Sequence, residues 1–508
     1  MPKEPMTSNT TTAEAAADRS FFGHPRGLST LFFTEFWERF SYYGIRAFLV
    51  LFMTTAASQG GLGFEEQSAG AVYGLFTGFA YLFALPGGWI ADQLLGQRRS
   101  VFVGGILIAI GNFLLYVPSV TTFYLGLLGV ILGTGLLKPN VSTMVGELYP
   151  GTSPEEGARR DAGFSIFYMG INLGALVAPL VCSYVAERID FHLGFLLAGI
   201  GMILGLVQYK LGGRRLGEVG LHPNAAGNPE VRSRSLRFLA GGAAAVAVIG
   251  FVLVGILKLS VVTIATFTGV AILLVALFYF GLQLGSPDLE KVEKKRMGVI
   301  LILFLFSAIF WAGFEQAGSS LTLFAERLTD RHLFGWEMPV GWLQSVNPIL
   351  IIALAPVFAW LWVALSRNKL EPSSPAKFSL GLILVGLGFA VMVYASILTQ
   401  GPDGNTRQVG LLWLNLTYLL HTCGELCLSP VGLSTVTKLA PHRKVGQMMG
   451  IWFMSIALGN VLAGKVAGQF ESFPLPQLFG VVTATTVGAG IILALLIKPI
   501  RRLMGGVH

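Results

Sequence analysis

A chain of 508 residues that is 53% hydrophobic and only 12% charged carries too little polar surface to be a soluble protein of that length. With a mean hydropathy of +0.67 it reads as a polytopic α-helical membrane protein. The formal net charge of +8 does not point to nucleic acid, because the basic residues collect in alternate loops between apolar segments.

Residues 1–27 are polar and Thr/Ala-rich at their start, without an apolar core or a small-residue cleavage site, and are expected to form a disordered cytoplasmic tail. About fourteen apolar segments follow, near 28–55, 68–95, 100–118, 122–148, 161–186, 193–211, 236–257, 260–284, 296–324, 341–366, 377–399, 408–437, 444–469 and 476–499. The second and third are joined by Gly96-Gln97-Arg98-Arg99, the fourth and fifth by a loop with Arg159 and Arg160. Further basic loops hold Arg214 and Arg215, Lys294 and Lys295, Arg367 and Lys369, and Lys438 and Lys444. If the spans alternate, these loops share one side. That side is the cytoplasm, and both termini lie on it. Twelve spans split into six-helix bundles at 28–211 and 296–502, around a cytoplasmic linker at 212–235 and an inserted two-helix hairpin with its connecting loop at 236–295. A short cytoplasmic tail is expected at 503–508. Two six-helix halves imply a central cavity that opens alternately to each side.

The first span carries Glu35, Glu38, Arg39 and Arg46, which cost several kcal/mol in lipid unless paired or hydrated. Positions 35, 38, 39, 42, 43 and 46 share one helical face, and Glu35 and Arg39 form an i, i+4 pair in the favourable order. Such a stripe belongs beside a wet cavity. At comparable depth in the first span of the second half lies Glu315, near Trp311, while the fourth spans of the two halves hold Lys138 and Glu425. The spacing therefore proposes two gating pairs, Arg46–Glu315 on the outside and Lys138–Glu425 on the inside, each strong when dry and weak when hydrated. Asn172, Asn347, Tyr43, Tyr81, Tyr168 and Trp452 are further lining candidates. His421, Asn415 and Lys465 have no assigned partner and read as structural, as do the cysteines Cys182, Cys423 and Cys427. Gly87 to Arg99 places Asp92 and Arg98 at the cytoplasmic ends of two spans, where a conformational role is expected.

These segments resemble the proton-dependent oligopeptide transporters of the major facilitator superfamily. The run Glu35-Phe36-Trp37-Glu38-Arg39-Phe40-Ser41-Tyr42-Tyr43 is similar to that family's E-x-x-E-R-F-x-Y-Y motif. Gly87 to Arg99 resembles the superfamily's motif between the second and third helices, and Gly133 to Asn140 the family's fourth-helix lysine segment. Asp161 to Leu176, Trp311 to Gln316 and Gly424 to Pro430 resemble the fifth-, seventh- and tenth-helix signatures. The chain departs at Ala175, where the family often has Ser, and at Phe83-Ala84, where it often has Thr-Pro. The inserted hairpin is typical of bacterial members.

The resemblance implies an all-α major facilitator fold in the cell inner membrane, importing di- and tripeptides with protons. A short peptide is a zwitterion with variable side chains and constant termini. Arg46 and Lys138 would hold its carboxylate and Glu425 its amino group. Tyr43, Tyr81 and Asn172 would meet the backbone, with Asn347 on the opposite half; Tyr168 and Ser429 are further peptide-binding candidates, and the side chains would sit near Trp311 and Trp452. Proton uptake needs buried carboxylates whose titration is governed by a paired cation. Glu35 and Glu38 with Arg39 fit that need, and Glu315 is second, since protonating it would release Arg46. No cofactor, metal or nucleic acid is expected, and a monomer is the default. A carrier of another small solute, such as nitrate or an amino acid, is the nearest competitor, but Lys138 together with Glu425 favours a zwitterion. A sensor on the same fold is opposed by the intact Glu35, Glu38 and Arg39. An enzyme is opposed by Ser429 and His421, which have no partner at a recognisable spacing.

Overall fold

The computed structural model describes residues 19–151, 153–223, 229–401 and 405–505. The remainder of the expected tails (1–18 and 506–508) and part of the expected linker (224–228) lie outside the described residues. Among the described residues the fold is all-α apart from four two-residue strands. Helices α1 (Arg26–Thr54), α2 (Glu66–Leu95), α3 (Gln97–Tyr116), α4 (Val120–Glu147), α5 (Pro154–Arg188) and α6 (Phe191–Gly212) come first. Helices α7 (Pro229–Ile256) and α8 (Val261–Gly285) form the insertion. They are followed by α9 (Lys291–Leu328), α10 (Val346–Arg367), α11 (Ser374–Leu398), α12 (Leu412–Leu439), α13 (Val445–Ala467) and α14 (Leu475–Met504).

Twelve of these helices are long and apolar enough to cross a membrane. The two that fall short by composition are α1 and α12, at 29 and 28 residues. Their length suits a bilayer, so the shortfall is chemical: α1 carries Glu35, Glu38, Arg39 and Arg46, and α12 carries His421 and Glu425. Local detail departs from the expected spans in three places. Helix α7 begins at Pro229, inside the expected linker, because proline is well placed in a first helical turn. Helix α9 is interrupted by a 3-10 turn at Glu315–Gly318. The end of α2 widens into a π turn at Ala91–Leu95, which carries Asp92. Strand β1 (Thr329–Asp330) pairs in parallel with β4 (Val409–Gly410), and β2 (His332–Leu333) pairs with β3 (Trp336–Glu337) in antiparallel register.

The helices form two compact units. Unit 1 comprises Met1–Ile45, Phe83–Cys182 and His192–Val252, and unit 2 comprises Arg46–Leu82, Ser183–Phe191 and Leu253–His508. These units cut the chain differently from the sequence halves expected at 28–211 and 296–502, and they separate most of α7 from α8. In unit 1 the core is apolar and shared: Leu28 and Leu31 of α1 meet Val101 and Ile108 of α3, Leu137 and Val141 of α4, Phe167 of α5 and Met202 of α6. In unit 2, α2 crosses α13 with backbone against backbone. A Cβ at Gly70 would overlap the Gly464 carbonyl and lie 2.8 Å from the Gly468 nitrogen. That crossing is why the first part of α2 belongs with the later helices.

Candidate functional site

Within unit 1 the charged stripe of α1 is buried: Glu35, Glu38 and Arg39 are 1%, 0% and 3% exposed. Arg39 bridges both acids, its Nε 3.1 Å from Glu35 Oε1 and its Nη2 against Glu38 Oε2. Thr134 of α4 donates its hydroxyl to Glu38 Oε1 at 3.2 Å, and the Arg39 guanidinium stands 5.4 Å from the Tyr42 ring centroid. One turn beyond Thr134, Lys138 acts electrostatically on Glu35. Three buried charges with the half-buried Lys138 nearby therefore share one neighbourhood, which offsets part of the several kcal/mol that burial of each ion costs on its own. Asn172 of α5, also buried, donates its amide to the Tyr168 carbonyl at 2.9 Å.

Within unit 2 a second ionic centre gathers on the 3-10 break of α9. Arg46 Nη2 lies 2.8 Å from Glu315 Oε2, and Arg46 donates from Nε to the Tyr73 hydroxyl of α2 at 2.8 Å. Gly318 makes room for this arrangement, since a Cβ there would overlap the Tyr73 hydroxyl and lie 3.1 Å from Arg46 Nε. Glu425 of α12 accepts from Asn347 of α10 at 3.0 Å, and the same Asn347 amide reaches Thr422 at 3.0 Å. The field of Arg46 reaches both Glu425 and Tyr418, whose buried hydroxyl has no hydrogen-bond partner among the described residues. Elsewhere in unit 2, Glu187 accepts from the backbone N–H groups of Val340 and Gly341 at 2.6 and 2.8 Å, at the start of the 3-10 turn that leads into α10.

Two sets of paired, buried charges in a fold of apolar helices are a transporter's chemistry rather than a hydrolase's, and similarity to known proteins agrees. The family model PTR2, described as the POT family, matches residues 98–482. The chain belongs to the POT family. Among its relatives is the peptide transporter YePEPT of Yersinia enterocolitica, 42% identical over 97% of this chain and 98% of that protein. A di-/tripeptide transporter of Lactococcus lactis is 38% identical over 97% of this chain and 99% of its own length. The crystal structure of a peptide transporter POT in complex with sulfate superposes with a TM-score of 0.90 at 41% identity, covering 97% of this chain and 99% of that one. The fold is thus the major facilitator type of POT transporters, and the protein is a membrane transporter rather than an enzyme.

Seen as a POT member, the chain distributes its expected site residues in a specific way. Glu35, Glu38, Arg39, Lys138, Tyr43, Tyr168 and Asn172 belong to unit 1, whereas Arg46, Tyr81, Glu315, Trp311, Asn347, Glu425, Ser429 and Trp452 belong to unit 2. The structure brings Arg46 to Glu315 and Asn347 to Glu425. Lys138 and Glu425 fall in different units, and each interacts within its own. Trp311 and Trp452, expected near roomy side-chain pockets, are buried at 8% and 2% exposure and pack on Phe314 and Phe378. His421 lies between Phe314 and Phe389, with ring centroids at 6.3 and 4.9 Å. Arg98 donates to the carbonyls of Val219 and Gly217, fixing the turn after α6. Sequence reasoning missed Tyr73, Thr134, Thr422 and Tyr418. Thr134 stood in view within Gly133-Thr134-Gly135, one turn before Lys138, but a helical threonine more often bonds its own backbone.

Proposed function

We propose that this POT member is a proton-coupled symporter that imports di- and tripeptides by alternating access, with both termini in the cytoplasm. The observation that carries the reading is the Arg46–Glu315 contact, buried, with Tyr73 on the remaining guanidinium edge. A buried ion pair of this kind makes a poor static brace, because apolar residues of equal size hold helices together as well or better. It makes a good gate, because neutralising either partner removes the attraction that holds the two together. Protonation of Glu315 releases Arg46 in this scheme, and the Glu35, Glu38 and Arg39 cluster is the primary proton-coupling group. Lys138 and Arg46 receive the peptide carboxylate and Glu425 its amino group. Asn347 presets the orientation of Glu425 with its 3.0 Å hydrogen bond. The relatives, a peptide transporter and a di-/tripeptide transporter, support the same cargo.

The test is uptake of labelled dialanine into proteoliposomes, with and without an inward proton gradient, beside a Glu35→Gln variant. Gradient-driven accumulation by the wild type, lost in the variant while exchange against unlabelled peptide persists, is the expected result. Neither accumulation nor exchange by folded wild type sinks the peptide reading and directs attention to nitrate and amino acids.

A further inference from the structure

At the other end of α12 from Tyr418, unit 2 contains a cleft of about 480 Å³ formed by the α10–α11 turn and the last turns of α12 and α14. Three helices each bring one cation to it: Lys377 of α11, Lys438 of α12 and Arg501 of α14. Ser373 and Ser374 add hydroxyls, and Glu371 is the one carboxylate in the lining. Lys377 occupies that carboxylate, with Nζ 2.7 Å from Glu371 Oε1, while its ammonium also stands 4.5 Å from the Trp362 ring centroid. The hydrogen bond from Lys377 holds the Glu371 carboxyl below its ordinary range, so the acid stays ionised. With Lys377, Lys438 and Arg501 around the single carboxylate of Glu371, the lining is net positive in a space large enough for a ligand. The 25-residue helix α11 also begins here, adding the positive end of its dipole.

We propose that this cleft binds the phosphodiester headgroup of an anionic lipid. The surroundings favour a lipid over a free anion. Trp360 of α10, Leu370 of the α10–α11 turn, Leu433 of α12 and Leu495 of α14 are exposed at 69%, 69%, 38% and 76%, so the elements that build the cleft also offer apolar surface to acyl chains. Helices α10, α11 and α14 are also among those apolar enough to cross a bilayer, which puts their terminal cations at headgroup level. The proposal rests on membrane insertion and not on the identity of the transported solute.

The experiment is native mass spectrometry of the full chain in detergent, with phosphatidylglycerol or phosphatidylcholine added. Wild type retains phosphatidylglycerol in preference. In a Lys438→Gln, Arg501→Gln double variant that retention weakens by about fivefold for each basic residue removed. A Glu371→Gln variant retains the anionic lipid more strongly than wild type, a gain that a folding defect does not produce. Equal retention of the two lipids by wild type, or unchanged retention in the double variant, overturns the site. Displacement of the lipid by inorganic phosphate at matched concentration overturns the lipid as the ligand and leaves a free phosphate in its place.

Discussion

Glu315→Gln keeps the size of the side chain and removes the charge that faces Arg46. At the observed 2.8 Å, an effective dielectric of about 20 gives roughly 6 kcal/mol of Coulomb attraction. Stripping water from both groups takes back several kcal/mol, and the glutamine oxygen still accepts a hydrogen bond, so the net loss is about 3 kcal/mol. Arg46, only 7% exposed, keeps its hydrogen bond to the Tyr73 hydroxyl. A loss of about 3 kcal/mol multiplies the local opening equilibrium of the 3-10 segment by about a hundredfold. Hydrogen–deuterium exchange of a peptide covering Glu315–Gly318 reads that change directly. Arg46→Gln has a similar effect, and the double variant adds little to either single one, giving a coupling of about 2–3 kcal/mol. Exchange that stays at the wild-type rate in the single variants, or effects that simply add in the double variant, would refute a holding role for the pair.

Gly318→Ala forces a methyl group onto the Tyr73 hydroxyl and costs about 1–3 kcal/mol. Gradient-driven uptake falls at least about tenfold, since Arg46 loses its seating; wild-type uptake counts against the packing argument. Gly70→Ala pushes a Cβ into the Gly464 backbone, so the thermal midpoint in detergent drops, and an unchanged midpoint contradicts the close crossing of α2 and α13. His24, whose Nδ1 lies 2.8 Å from the Tyr149 hydroxyl, is held below its ordinary pKa of 6.5 by burial and then by Arg159. The unfolded chain therefore takes this proton first on acidification. The contribution is complete above about pH 6.5 and declines as the pH falls below it. Thermal midpoints measured from pH 8 to 5 fall less steeply in a His24→Gln variant than in wild type; parallel slopes exclude the effect.

The membrane class and the helix count were legible because lipid allows few solutions: apolar runs long enough to cross become helices. The Arg46–Glu315 contact was legible for a related reason, since buried charges are so rare that two of opposite sign at one depth find each other. Tyr73 was not legible, because a tyrosine within an apolar helix reads as packing until the arginine that it faces is known. The Glu187 contacts with Val340 and Gly341 were hidden for a different reason: their acceptor and donors are about 150 residues apart and the donors are backbone groups with no sequence signature. The break at Glu315–Gly318 left no proline to announce it, and the division into units depends on glycine backbones meeting at Gly70 and Gly464, which no periodicity encodes.

The charges on α1 also set a schedule for making the protein. Arg39 bridges Glu35 and Glu38 inside a single helix, so α1 carries most of that solution with it as it leaves the ribosome, and Lys138 of α4 completes it. Arg46 cannot do so. Its hydroxyl partner Tyr73 follows 27 residues later, but Glu315 comes roughly 270 residues later. At ordinary synthesis rates of about 5–20 residues per second, that gap is tens of seconds. For that interval the newborn chain carries an arginine whose carboxylate partner has yet to be made. The last step in seating the first helix therefore belongs to the ninth.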